Sequence, residues 1–397
     1  MLSDEKENHM DDFIFRNPTK IVFGRGTESK VGAEAAVYAK KLLLHFGGGS
    51  IRKSGLHARV TASLKAAGVE WVELGGVKPN PRLSLVREGI ETCRREKIGL
   101  ILAVGGGSAI DSAKAIAVGV PYAGDVWDFY TGKAEPREAL PVGTVLTIPA
   151  AGSEASSGSV VTKEEGLLKR AFNSEHAYPR FSILNPELCF TLPKEQVANG
   201  ITDIMAHLLE RYFTNSRPVE FTDRLIEATL RTVIDVAPRV LAQMKDYEAW
   251  SELMWAGTVA HNNLLNTGRE GDWASHDIEH ELSGIYDVAH GAGLAVVIPA
   301  WMKYVLKHDL TRFVQLAVRV WGVDQAFYSP ERTAREGIAR LEGFWASIGQ
   351  ALRLPGIGIG PDRIEEMAGK GCEGGRKLGH FVPLARADMV AVLKLAL

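Results

Sequence analysis

Cysteine is scarce and scattered: Cys93, Cys189 and Cys372 are the three in 397 residues. An odd, widely spaced set argues against a disulfide framework and against a thiolate zinc site, and fits a reducing compartment. A cationic excess is missing too. Lys and Arg total 46 against 48 Asp and Glu, a net charge of −2, so the chain carries no basic footprint for nucleic acid. No apolar run is long enough to span a bilayer. The opening MLSDEKENHMDD lacks the cationic and apolar regions of a signal or transit peptide. These absences predict a cytoplasmic protein with neither membrane nor nucleic-acid partners. What is present is ordinary for a globular chain, 46% hydrophobic and 24% charged, and long enough for two domains.

The hydrophobic pattern divides the chain. KIVFG (20–24), KLLLHFG (41–47), VEWVELG (69–75), IGLILAVGGG (98–107), VGTVLTIP (142–149) and FSILNP (181–186) read as strands. Amphipathic segments such as PRLSLVREGIETCRREK separate them. Strands alternating with helices of this length predict a mostly parallel sheet. From Gly200 onward the apolar period is helical almost throughout. Thr191 is a candidate N-cap, and Pro193 suits a first helical turn. The expectation is therefore an α/β domain over residues 1–191, followed by an all-α domain over 192–397.

Two glycine runs follow strands in the first half. Gly105, Gly106, Gly107 and Ser108 stand between an apolar strand and a helix expected to begin near Ala109. Amides at such a helix start point outward with partial positive charge and suit a phosphate. The bland alternative is a tight turn that needs glycine for its backbone angles. The second run places Gly48, Gly49 and Ser50 after a strand, with Arg52 and Lys53 just beyond. A carboxylate after such a strand holds the ribose 2′-hydroxyl of NAD, whereas a cation accommodates the 2′-phosphate of NADP. From His45 to Gly55 there are two cations and no carboxylate. If this turn meets the adenosine ribose, NADP(H) is preferred, with NAD(H) also possible.

The second half carries more specific chemistry. Asp203 and His207 lie four residues apart, as do His276 and His280, so each pair shares a helix face; His290 follows before a glycine. One carboxylate and four imidazoles can therefore converge on one divalent ion such as Fe2+ or Zn2+. A four-coordinate site has one candidate too many, and spacing does not say which imidazole stays free. An Asp203–His207 ion pair is the bland alternative. His45, His57, His176 and His308 read as structural.

In order along the chain, NPTKIVFG, GGGS twice, KPNP, GGGSAIDSAK, TIPAAGSE, LNPELCFTLP, DIMAH and DWASHDIEHELSG…HGAGLAVVIP resemble the iron-containing (group III) alcohol dehydrogenases. Within these the chain looks like the butanol dehydrogenase and NADPH-dependent aldehyde reductase branch. The resemblance implies a dehydroquinate synthase-like architecture, with the active site between the two domains, and a homodimer. It implies Asp203, His207, His276 and His290 as metal ligands and His280 as the spare, catalytic histidine near the nicotinamide. It puts the pyrophosphate at Gly105 to Ser108, with Asp111, Thr147, Ser153, Lys169 and Asn80 lining the cofactor cleft. Ala151 departs from the family, which commonly has Thr there. The implied reaction is metal-assisted hydride transfer on alcohols and aldehydes. Neutral charge and the aromatics Trp273, Tyr286 and Trp301 suggest a small, uncharged aliphatic substrate. The alternative is a dehydroquinate-synthase-like or glycerol-dehydrogenase-like enzyme; the former needs cations around the histidines, where DWASHDIEHELSG supplies acids.

Overall fold

Leucine- and valine-rich runs that stop at glycine or proline become the strands of one sheet. The structure, a computed structural model, describes residues 9–397. Among them, β1 (Lys20–Phe23), β2 (Lys41–Phe46), β3 (Glu70–Leu74), β4 (Leu100–Gly105), β5 (Val142–Leu146) and β8 (Phe181–Leu184) pair in parallel in the order β1-β8-β5-β4-β2-β3. Every residue of β4 and β5 is buried, as expected where helices cover both faces of a parallel sheet. One face packs under α1 (Val31–Ala36) and α3 (Leu56–Ala66); the short α2 (Ser50–Lys53) lies at the end of β2. The other packs under α4 (Leu83–Glu96) and α5 (Gly107–Gly119), beside α6 (Trp127–Tyr130). β6 (Gly158–Lys163) and β7 (Leu168–Asn173) form an antiparallel hairpin outside the sheet. Their lysine- and arginine-bearing sequences did not read as strands.

The rest is helical: α7 (Lys194–Tyr212), α8 (Glu220–Ala242), α9 (Tyr247–His261), α10 (Ala274–Tyr286), α11 (His290–Val305), α12 (Leu310–Arg319), α13 (Pro330–Ser347), α14 (Ile364–Gly371) and α15 (Arg386–Leu395). α7 is buried on every side from Gly200 to Tyr212, the signature of a central helix. One hydrophobic cluster runs from Leu43 and Ile110 beneath the sheet to Ile204 and Leu294 among the helices, so the two halves share a core. The expected cap at Thr191 is a correction. Pro193, extended at φ −61° and ψ 139°, takes the N-cap position of α7, and the helix starts one residue later. Likewise α5 starts at Gly107 rather than near Ala109. All three cysteines are free and buried, and no helix of the described residues is long and apolar enough to cross a membrane.

His45 has the structural role expected of it. Nδ1 donates to the Leu74 carbonyl at 2.9 Å and Nε2 accepts from Ser112 Oγ at 2.8 Å, tying β2 to β3 and α5. Burial, opposed by the bond to Leu74, lowers its pKa from 6.5 to about 4. The unfolded chain therefore takes up a proton that the folded chain resists. The stability tied to His45 is present above pH 6.5 and lost as pH falls to about 4, a loss of about 3 kcal/mol. Denaturation midpoints across that window should show a shallower pH slope for His45→Asn than for the parent; equal slopes would refute this.

Candidate metal centre and dinucleotide cleft

Three helices bring the titratable residues together. α7 carries Asp203, His207 and Glu210 on one stripe; α10 carries His276, Glu279 and His280; His290 opens α11. Glycines make the approach possible. A Cβ on Gly291 would lie 2.1 Å from the Asn199 carbonyl of α7, and one on Gly293 would lie 2.7 Å from Glu279 Cγ. The two small residues after His290 thus seat α11 directly on its neighbours.

The ligand-type atoms of Asp203, His276 and His290 lie within 4.8 Å of one another. Nε2 of His276 and Nε2 of His290 are each 3.9 Å from Asp203 Oδ1. Asp203 Oδ1 and His276 Nε2 are buried with no hydrogen-bond partner among the described residues. Leaving such groups unpaired costs about 1–3 kcal/mol each. A divalent cation between them satisfies both, so the donor set fits the metal that the resemblance implies. His207 stands beside this trio rather than inside it. Its Nδ1 is 3.2 Å from Asp203 Oδ1, and its ring centre is 4.7 Å from that of His276.

Hydrogen bonds on the far side of the ring set His207, His276 and His290 apart from His280. His276 Nδ1 donates to Glu210 Oε1 at 2.8 Å, His290 Nδ1 contacts Glu279 Oε2, and His207 Nδ1 donates to the Asp203 carbonyl at 2.8 Å. Fixing Nδ1–H leaves Nε2 as the lone-pair nitrogen, the usual arrangement behind metal-binding histidines. His280 has no such partner among the described residues, and its ring centre lies 5.8 Å from that of His290. Glu279, His280 and His290 make a second close set. There, however, the carboxylate is already engaged by His290 Nδ1, Ser283 Oγ and Lys169 Nζ, so hydrogen bonds account for the cluster.

The electrostatics agree. Burial opposes the charge of Asp203, but the imidazoles of His207, His290 and His276 outweigh it and hold the carboxyl well below its usual range. Burial lowers His276 and His280 far below an ordinary histidine, reinforced by His207 and His290 at the first and by Lys169 and His290 at the second. Neutral rings are the form that binds metal. Glu279 is buried, yet His290 and Lys169 keep its pKa low.

The dinucleotide candidates gather at the carboxyl ends of adjacent strands. Gly105 ends β4, Gly106 precedes α5, and Gly107 and Ser108 form its first turn. Cβ atoms on Gly106 and Gly107 would meet Ile148 Cγ2 at 2.4 Å and Ala151 Cβ at 2.9 Å. Ala151 therefore rests on the glycine turn. Thr147 N donates to the Gly105 carbonyl at 3.0 Å. Asp111 accepts from Ser153 Oγ at 2.5 Å and Val160 N at 3.0 Å, tying the 152–160 segment to α5. Asn80 Nδ2 donates to Asp287 Oδ1 at 3.0 Å and the Val288 carbonyl at 3.1 Å, joining the first half to the turn before His290. Lys169 lies 3.2 Å from Glu279 and 3.3 Å from His290 Nδ1, against the metal candidates. At the second turn Gly48 has open space around a virtual Cβ, Gly49 precedes α2, and Ser50, Arg52 and Lys53 lie on α2.

Four residues here escaped sequence reading. Glu210 continues the Asp203–His207 stripe, a signal that the i, i+4, i+7 rule offers. Glu279 sits three residues after His276 in the same way. His261, at the end of α9, puts its ring 4.3 Å from that of His207 and accepts from Arg211, and no spacing announces it. Glu73 reaches Arg52 from β3, so the turn has a carboxylate beside it after all. Of the three aromatics, Trp273 alone touches the site, 5.3 Å from the His276 ring. Trp301 packs on Phe213 and Phe381 in the core, and Tyr286 lies by Arg363.

Comparison with known proteins agrees along the chain. Residues 18–186 match the family described as iron-containing alcohol dehydrogenase, and residues 197–397 its C-terminal counterpart. The chain is 43% identical over 388 residues to the probable NADH-dependent butanol dehydrogenase 1 of Bacillus subtilis, covering 98% of this chain and 100% of that one. It is 34% identical to the NADPH-dependent aldehyde reductase of Escherichia coli over 364 residues, 91% of this chain and 93% of that one. The crystal structure of NADH-dependent butanol dehydrogenase A from Thermotoga maritima superposes with a TM-score of 0.94 at 42% identity, covering 98% and 99% of the two chains.

Proposed function

The chain belongs to the iron-containing alcohol dehydrogenase family, and we propose that it interconverts small, uncharged primary alcohols and aldehydes, butanol- and butanal-like, using a nicotinamide dinucleotide and one divalent cation, Fe2+ or Zn2+. Asp203, His207, His276 and His290 hold the cation. When bound, the cation supplies Lewis acidity toward the substrate oxygen and the nicotinamide supplies or accepts hydride. Glu210 and Glu279 orient two of the imidazoles, and Lys169 keeps Glu279 ionised. The amides of Gly105 to Ser108 receive the pyrophosphate at the start of α5. Asp111, Ser153, Thr147 and Asn80 shape the cleft around it. Gly48, Gly49, Ser50, Arg52 and Lys53 meet the adenosine ribose and accept its 2′-phosphate, and NAD(H) serves as well. His280, neutral and with no carboxylate on its ring, stands as the relay for the substrate proton.

The observation that carries this reading is the pair of buried, unpartnered donors, Asp203 Oδ1 and His276 Nε2, backed by carboxylate-held imidazoles. Lys169 and Arg170, cations near these histidines, are already paired with Glu279 and Glu281, and the family match speaks against the dehydroquinate-synthase-like alternative. The test is turnover of short aldehydes with NADPH or NADH after anaerobic loading with Fe2+ or Zn2+. Metal-dependent loss of reduced-cofactor absorbance is expected; metal-loaded protein inert toward every aldehyde would overturn the proposal. His280→Ala should retain its metal and slow roughly 10²-fold, whereas loss of metal would make His280 a ligand. A homodimer is also proposed. β1 is an edge strand; Phe23 at its end and Trp255, whose ring centre is 6.5 Å from that of Phe23, are exposed, as are Phe13, Ile14 and Phe15 in the segment leading into it, a surface that suits a second copy. Light scattering should give twice the 43.2 kDa chain mass; the mass of one chain would refute it.

A further inference from the structure

We propose that Glu73 sets how strongly this chain distinguishes a 2′-phosphate from a 2′-hydroxyl on the adenosine ribose of its dinucleotide, by competing for Arg52. The inference rests on the proposed placement of that ribose at the turn from Gly48 to Lys53.

The sheet brings the two segments together. β2 and β3 pair in parallel, with His45 opposite Leu74. Past their ends, Gly76 N donates to the Gly47 carbonyl at 2.9 Å and Val77 N to the Phe46 carbonyl at 3.2 Å. The glycine turn is thereby stitched to the end of β3, and Glu73 stands beside it. A carboxylate beside the adenosine ribose is what dinucleotide-binding folds use to read its 2′-hydroxyl.

The side chains form a compact switchable set. Glu73 accepts from Arg52 Nη2 and from His57 Nε2, the latter at 2.9 Å. The Arg52 guanidinium lies 5.4 Å from the Phe46 ring centre, and the His57 ring packs edge-on against that same ring at 5.8 Å. The Arg52 and Glu73 side chains remain 53% and 32% exposed, so a ligand can reach both.

This arrangement serves two ligands with opposite needs. A 2′-hydroxyl can donate to the Glu73 carboxylate while Arg52 stays where it is. A 2′-phosphate, carrying close to two negative charges, must share Arg52 with Glu73 or draw it away, and must tolerate the carboxylate nearby; His57 remains to hold Glu73. Lys53, outside the pair, adds charge without the guanidinium's planar fork. Discrimination is then the difference between these two balances. A chain with Arg52 alone would favour the phosphate outright, and Glu73 moderates that preference.

The test is binding of adenosine 2′,5′-bisphosphate and of AMP to the metal-loaded enzyme by calorimetry. Glu73→Gln and, as a second neutral variant, Glu73→Ala should bind the bisphosphate about tenfold tighter, with AMP binding unchanged or weaker. Adding Arg52→Ala to Glu73→Gln should abolish the gain. An unchanged ratio of the two affinities in both neutral variants would overturn the role of Glu73. If Arg52→Ala and Lys53→Ala together leave the ratio unchanged in the parent, the ribose placement itself is wrong. If that pair lowers bisphosphate affinity while the Glu73 variants do nothing, the placement stands and this inference fails.

Discussion

His276→Ala is expected to lose its bound cation and to turn over at least roughly 10³-fold more slowly. Lewis-acid assistance contributes several kcal/mol to such a reaction, and each decade of rate corresponds to about 1.4 kcal/mol. His276 stands where its removal is felt most. Its ring is buried, its Nδ1 is held by Glu210, and its Nε2 lies 3.9 Å from Asp203 Oδ1 with no hydrogen-bond partner among the described residues. Alanine leaves Asp203 and His290 facing a gap, and two donors with His207 hold a divalent ion far less tightly than four. Metal analysis beside initial rates checks the result. Slow turnover with full metal would make His276 a positioning residue, and full activity would remove it from the site.

Glu210→Gln is expected to weaken cation binding by about 10–100-fold although Glu210 touches no ligand atom that faces the ion. One oxygen accepts from the backbone N–H and the ring Nδ1 of His276; the other accepts from Trp273 N at 2.7 Å. A single carboxylate thus caps the amides at the start of α10 and fixes the ring of His276, the proposed metal ligand. Burial pushes its pKa up, yet every contact is to an N–H donor, the pattern an ionised carboxylate satisfies. Glutamine supplies one acceptor and one donor where two acceptors are needed, so an N–H must oppose an N–H. The mismatch also costs stability, about 1–3 kcal/mol. Chelator competition and thermal melting read the two effects separately. Melting loss with unchanged metal affinity would confine Glu210 to capping.

What the sequence revealed follows from range. Asp203 with His207, and His276 with His280, are legible because helical spacing alone puts each pair on one face. The strands are legible where they are continuously apolar, as in β4 and β5, and not in β6 and β7, whose alternation is interrupted by lysine and arginine. Spacing does not single out His280, because the four imidazoles differ in what holds Nδ1, and those acceptors come from other turns and other helices. Glu73 is hidden for a related reason: the turn itself holds no carboxylate, and this one comes from the next strand of the sheet. His261 has no local signature at all, since the contact of α9 with α7 is tertiary.

Cobalt binding by equilibrium dialysis tests the central claim most directly. One Co2+ per chain is predicted for the parent protein, and essentially none, at the same free concentration, for Asp203→Asn, His276→Ala or His290→Ala. One Co2+ per chain held with undiminished affinity by all three variants would show that these residues from α7, α10 and α11 do not share an ion.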